Sequence, residues 1–158
     1  MLPLFILAIS LEYFLQNIPN VYSYKKDYLN KYSKEIQILI LGNSHTYLGI
    51  DPIYFTQNTF NAGYVNQSLY YDFEILNKHK ENLDELKIIV IPISYFSLWF
   101  SLLESEEYRR VKNYVIYHGL KANSIKDYSE LLNSNFSYNM KRLSYYIRPK
   151  EEIECTKL

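Results

Sequence analysis

Ile36-Gln37-Ile38-Leu39-Ile40-Leu41-Gly42-Asn43-Ser44-His45-Thr46 runs from a nearly continuous apolar segment straight into a short polar turn. An apolar, mostly β-branched run without alternation suits a central parallel strand covered on both faces. Gly42-Asn43 punctuates it, and Ser44 follows at once. Downstream, Ile88-Ile89-Val90-Ile91 has the same character and is stopped by Pro92, which cannot continue a central ladder.

Working outward, Thr46–Ile50 reads as a short helical turn before Asp51-Pro52, and Thr59–Ala62 as a short second strand. Ser68–Leu83 reads as a helix with Leu69, Phe73, Leu76 and Leu83 on one face, capped by Asn66 or Ser68. Strand, helix, strand, helix, strand implies right-handed crossovers and a parallel sheet, an α/β fold. Beyond Leu98 the pattern is helical. Tyr108, Val111, Val115 and His118 share a face that Gly119 can end. Ile125, Tyr128 and Leu132 mark a short helix. Phe136, Met140, Leu143 and Ile147 mark another, stopped by Pro149. Three strands make a thin sheet for this architecture.

The chain has 158 residues, enough for one domain and its core. Hydrophobic residues make up 48% and charged residues 22%, the profile of a globular protein. Seventeen basic residues balance seventeen acidic ones, so no long-range field attracts nucleic acid, and nucleic acid is not expected as a partner. The lone cysteine, Cys155, excludes an intrachain disulfide framework and a cysteine zinc cluster. With no phosphate-cradling glycine loop either, no cofactor and no metal are expected. The 18 tyrosines accompany many Lys, Ile and Asn residues, all with A/T-rich codons. Mutational bias accounts for them better than a carbohydrate-binding aromatic surface does.

Residues 1–15 read MLPLFILAISLEYFL. The uncharged stretch ends at Glu12, too short to span a bilayer alone, and no basic residue precedes it as in a signal peptide. Two readings stand: a helix of the domain, or the C-terminal half of a membrane anchor. The anchor is preferred, with Leu2–Leu11 projecting as a helix. Residues 16–35, polar and tyrosine-rich, read as a connector rather than core. Residues 36–158 then form the α/β domain.

Ligands and catalytic groups in open α/β sheets gather at the carboxyl ends of the strands. Gly42–His45, Asn61–Ser68 and Pro92–Ser94 fall there. A serine directly after a buried strand exposes its hydroxyl near free backbone N–H groups that can hold an oxyanion. The plainer alternative is that Ser44 caps the next turn. His79, among Asn77, Lys78 and Lys80, reads as solvated helix surface, and His118 as a histidine on an apolar helical face. Asp72 and Glu74 point to different helical faces and form no carboxylate pair. Asn66-Gln67-Ser68 and Asn135-Phe136-Ser137 match glycosylation acceptors, a common chance pattern.

Leu41-Gly42-Asn43-Ser44-His45-Thr46, followed by Gly49-Ile50-Asp51-Pro52, resembles the first block of the SGNH (GDSL-like) hydrolase superfamily, in particular its envelope-associated O-acetyltransferase and esterase-like branch. The resemblance covers about Ile36 to Leu98. It implies a three-layer, flavodoxin-like parallel sheet, seen incomplete, with the C-terminal part missing. It implies Ser44 as nucleophile and Asn66 as an oxyanion donor through its backbone N–H. Ser94 stands where the family has an asparagine side chain. Asn43 stands where many members have Asp. The family's base is a histidine in an Asp-x-x-His block, and this chain contains none. His45 adjoins the serine and diverges from it, which leaves His118 as the first alternative. The function so implied is ester hydrolysis or acyl transfer on an acylated envelope glycan or small ester, by a membrane-anchored domain outside the cytoplasm, inactive in the chain as it stands. The rival is a non-catalytic domain, truncated or degenerate, with a binding or assembly role.

Overall fold

The computed structural model describes residues 2–147. Pro149 and Cys155 lie outside the described residues. β1 (Ile38–Ile40) is the middle strand of a three-stranded sheet, between β2 (Thr59–Asn61) and β3 (Ile88–Val90), and both pairings are parallel. Ile38 lies opposite Thr59 and Ile88, and Ile40 opposite Asn61 and Val90. The expected α/β class and the parallel pairing of the two apolar runs are therefore present.

β1 is buried along its whole length because both of its faces are covered. Leu39 and Leu41 belong to the main core, and Ile38 and Ile40 are buried on the opposite face. β3 differs despite its similar composition. It is an outer strand, and Ile88 and Ile89 are 50% and 40% exposed.

α3 (Ser44–Gly49) and a tight turn at Pro52–Tyr54 connect β1 to β2, and α4 (Leu69–His79) connects β2 to β3. The buried face of α4 is Tyr71, Asp72, Ile75 and His79, whereas Phe73 is 60% exposed. This corrects the expected face and the expected solvated His79. Counting apolar positions selects the stripe through Phe73, but the helix turns inward a stripe that includes an aspartate and a histidine.

α2 (Val21–Tyr32) corrects the connector expected over 16–35. Asn20 caps it, accepting from the N–H groups of Tyr22 and Ser23, while Ser23 Oγ accepts from Asn20 N–H. Tyr22, Lys25 and Leu29 recur at helical spacing and are buried. Tyr28 stacks on Phe60 of β2 at 4.2 Å between centroids. Tyr22 stacks on Tyr64, also at 4.2 Å, and Tyr71 on Tyr114 at 3.9 Å, with Tyr22 and Tyr64 edge-on to Tyr114. Part of the tyrosine excess is thus core packing.

α5 (Val111–Ile116), α6 (Glu130–Asn133) and α7 (Phe136–Ile147) follow β3. Ser124 caps the turn at Ile125–Tyr128, and Gly119, with φ +60°, ends the α5 segment as expected. α1 (Leu2–Gln16) docks only by its second half. Leu15 is buried, and the Glu12 carboxylate accepts from Ser129 Oγ and from the N–H groups of Glu130 and Leu131, capping α6. Burial alone would raise the Glu12 carboxyl; these hydrogen bonds outweigh it and hold the group below its ordinary value. Leu2, Leu4, Phe5, Ile6, Leu7 and Ile9 are all exposed, as expected of a projecting helix. Among the described residues no single helix is long and apolar enough to cross a membrane.

Candidate functional site

Parallel pairing places the loops after all three strands on one rim. The loop after β1 is drawn into a tight turn by Gly42, whose φ of +124° L-residues rarely adopt. The Gly42 N–H donates to Asp72 Oδ1 at 2.7 Å, and its carbonyl accepts from Tyr64 N–H at 3.1 Å. Asn43 then caps α3, accepting from His45 N–H at 3.0 Å. Ser44 is the first residue of α3, partly exposed at the carboxyl end of the central strand.

The loop after β2 is fastened to the first. Asn61 Nδ2 donates to the carbonyls of Thr46 and Ile50, and Asn61 Oδ1 accepts from Gly63 N–H at 2.9 Å. Gly63 passes so close that a Cβ there would stand 2.9 Å from the Gly42 carbonyl oxygen. The Gly63 N–H is therefore occupied. Asn66 has φ +58°, the left-handed geometry its side chain tolerates. The N–H groups of Ser44 and Asn66 have no acceptor among the described residues.

Asp72 organises this rim from beneath. Its Oδ1 also accepts from Gln67 Nε2 at 2.5 Å, and Gln67 Oε1 accepts from the Tyr114 hydroxyl at 3.1 Å. Burial pushes the Asp72 carboxyl up to about 6, against the lowering effect of its Gln67 and Gly42 hydrogen bonds. A cavity of about 10 Å³, room for one water, lies where the three loops meet. Asn43, Gln67, Ser68 and Ser97 line it; Ser44, Asn66 and Ser94 do not. The Ser94 N–H donates to Ser97 Oγ at 3.0 Å, which closes the loop after β3 on itself.

No histidine is hydrogen-bonded to Ser44 among the described residues. His118 is fully buried, with Nε2 2.7 Å from the Tyr64 hydroxyl, and burial drives its pKa down to about 3. It is held in the core rather than offered to the rim. His79 is buried and, for the same reason, shifted downward. His45 is exposed, edge-on to Phe96.

Sequence reading gave no site role to three side chains of this region: Asp72, Gln67 and Lys25. Lys25 is 2% exposed; its Nζ donates to the Gly63 carbonyl at 2.6 Å and lies over the rings of Tyr47 and Tyr64. Burial lowers its pKa from 10.5 to about 7. Above pH 7 the folded state thus binds fewer protons at Lys25 than the unfolded state does, so stability rises with pH up to the unfolded value. Buried tyrosines act oppositely. Tyr117 is raised to about 12 and Tyr64 well above 10, so the unfolded state ionises first above pH 10 and stability then falls. Urea titrations across pH should show a maximum at about pH 9–10, with the Lys25 share of the rise on the order of 2–4 kcal/mol. In Lys25→Met this rise should be largely gone, with stability at neutral pH equal or higher. An undiminished rise in that variant would contradict the assignment.

Compared with known proteins, the chain matches no family model, no curated protein and no solved structure.

Proposed function

We propose that the chain carries the first half of an SGNH-type acyl-transfer centre, with Ser44 as its nucleophile, and that the chain by itself turns over very slowly. One observation supports this above the rest. Ser44 opens α3 at the carboxyl end of the central strand, on a turn held by Gly42 and Asp72, with unoccupied N–H groups at Ser44 and at left-handed Asn66. Such free N–H groups on the rim that carries the hydroxyl are the kind of donor an oxyanion needs. Ser44 Oγ would attack an acyl carbonyl, the carbonyl oxygen would take the negative charge, and the hydroxyl proton must pass to a base; collapse of the adduct would break the ester C–O bond, release the alcohol with that proton and leave the acyl group on Ser44. Ser94, whose N–H is taken by Ser97 Oγ, would contribute a further donor through its hydroxyl. The substrate class is an acylated glycan or small ester, and the exposed apolar half of α1 supports attachment of the domain to a membrane, whose outer side is what the SGNH resemblance implies.

The non-catalytic reading has its own support. His118 is engaged by Tyr64, and the cavity between the loops holds no more than a water. A serine without a base is a weak nucleophile, and losing a triad member costs several powers of ten in rate. Incubation with p-nitrophenyl acetate distinguishes the two readings. The expected result is negligible turnover but slow acetylation of the peptide containing Ser44, read by mass spectrometry and absent in Ser44→Ala. Acetyl groups spread over lysines and tyrosines with Ser44 unmodified would reject the nucleophile. Rapid Ser44-dependent turnover would reject the missing base.

A further inference from the structure

A second concavity, of about 410 Å³, opens between the start of α2, the turn entering α5, and α7. Its volume is that of a small-molecule site. Three of the chain's four arginines, Arg109, Arg110 and Arg142, line it together with Lys112, Asn113 and Tyr22. Three carboxylates answer these four cations. Glu107 pairs with Arg109 and Arg110, buried Glu130 pairs with Lys112 and Arg142, and Glu12 also acts on Lys112, which leaves one positive charge in excess, on the Arg109–Arg110 side. Arg110 reaches Glu107 through Nε, so its terminal nitrogens have no carboxylate partner among the described residues.

The Tyr22 side chain adds an independent sign. Tyr22 is 6% exposed, yet its hydroxyl has no partner at hydrogen-bonding geometry, although Arg110 and Asn113 flank it. A buried hydroxyl of this kind is costly unless something else satisfies it. Its ring is fixed by stacking on Tyr64, so the hydroxyl is held in place.

We propose that this pocket binds a phosphate group, carried by a small phosphorylated molecule or by a lipid headgroup, through Arg109, Arg110 and the Tyr22 hydroxyl. Guanidinium forks suit phosphate oxygens, and donors from separate elements suit a tetrahedral group better than a planar one. Arg109 and Arg110 share the single Glu107 carboxylate, and that local excess of positive charge favours an anionic group. The lipid source has a structural basis as well. Arg142 Nη2 donates to the Leu15 carbonyl, which places the pocket beside the docked end of α1, whose other half is apolar and exposed. The inference does not rest on Ser44 being a nucleophile.

Calorimetric titration of the full chain with inorganic phosphate at fixed ionic strength tests it. Binding is expected, weakened about tenfold in Arg110→Gln and severalfold in Tyr22→Phe, as for a lost charge-assisted and a lost neutral hydrogen bond. Tyr22→Phe keeps the ring stack, so its melting temperature should hold or rise. Absence of binding to the folded chain, or equal affinity in Arg110→Gln, overturns the proposal. Vesicles of phosphatidylcholine with and without phosphatidic acid separate the two sources. A preference for phosphatidic acid that Arg110→Gln removes assigns a lipid headgroup. Phosphate binding without that preference assigns a soluble phosphorylated ligand.

Discussion

Glu130→Ala is expected to destabilise the protein by about 3–5 kcal/mol, the usual cost of breaking a buried ion pair from one side. Glu130 is fully buried. Its Oε2 receives the Lys112 ammonium and Arg142 Nη1, and its Oε1 the Tyr117 hydroxyl. Its backbone also takes part, with the N–H donating to Glu12 and the carbonyl accepting from Asn139 Nδ2. One residue thus joins α1, α5, α6 and α7. Removing the carboxylate leaves Lys112, itself 4% exposed, without its direct counter-charge in a place that already disfavours its ammonium. For a domain stable by about 5–15 kcal/mol this is a large fraction, and thermal denaturation should show it as a fall in melting temperature of about 10 °C or more. Glu107→Ala, whose partners are partly exposed, should cost about 1 kcal/mol or less. Lys112→Met combined with Glu130→Ala should recover part of the loss. Equal losses for Glu107→Ala and Glu130→Ala would mean that burial does not govern the difference.

Gly42→Ala should be nearly as damaging, and its effect divides into two parts. The backbone φ of +124° costs any L-residue on the order of 1–3 kcal/mol. In addition, the new Cβ would stand 2.5 Å from Thr46 Oγ1 and 3.2 Å from Thr46 Cβ, so the Thr46 side chain must turn and its Cβ give way slightly. Thr46→Ala alone should cost little for its hydroxyl, which is buried without a hydrogen-bond partner. Combined with Gly42→Ala it should relieve the closest contact and leave the backbone strain. A double-mutant cycle read by denaturant titration then gives a coupling of about 1 kcal/mol or more. Simple additivity would show that the turn rearranges instead. Because Ser44 follows two residues later, Gly42→Ala should also suppress Ser44 acetylation.

The strand order of the sequence was legible because the apolar runs at Ile36–Leu41 and Ile88–Ile91 are distinctive and Thr59–Ala62 falls between them at a crossover spacing. Their surroundings were not. Composition records that a strand is apolar on both faces, but the presence of neighbours to cover it is a property of the assembled chain. Ile38 is buried for this reason while its ladder partner Ile88 is half exposed. The polar helix Val21–Tyr32 was missed because its inward face consists of Tyr22, Lys25 and Leu29, residues that apolar counting scores low. Ser44 and the left-handed Asn66 could be placed on the rim from sequence. The Asp72–Gln67–Tyr114 chain beneath them could not, since it depends on which stripe of α4 turns inward. His118 could be seen on an apolar face, but its engagement by Tyr64 links residues 54 positions apart.

The packed tyrosines also determine how the molecule meets light. Tyr22, Tyr64, Tyr71 and Tyr114 are locked ring against ring in an asymmetric core, whereas the single tryptophan, Trp99, is 84% exposed. Trp99 sits in water before and after unfolding, so its emission is a poor witness to the native state. The near-ultraviolet circular dichroism of the tyrosines is present only while the core is ordered. The optical signature of folding in this protein therefore belongs to tyrosine, and it reports on the same rings that support the rim from below.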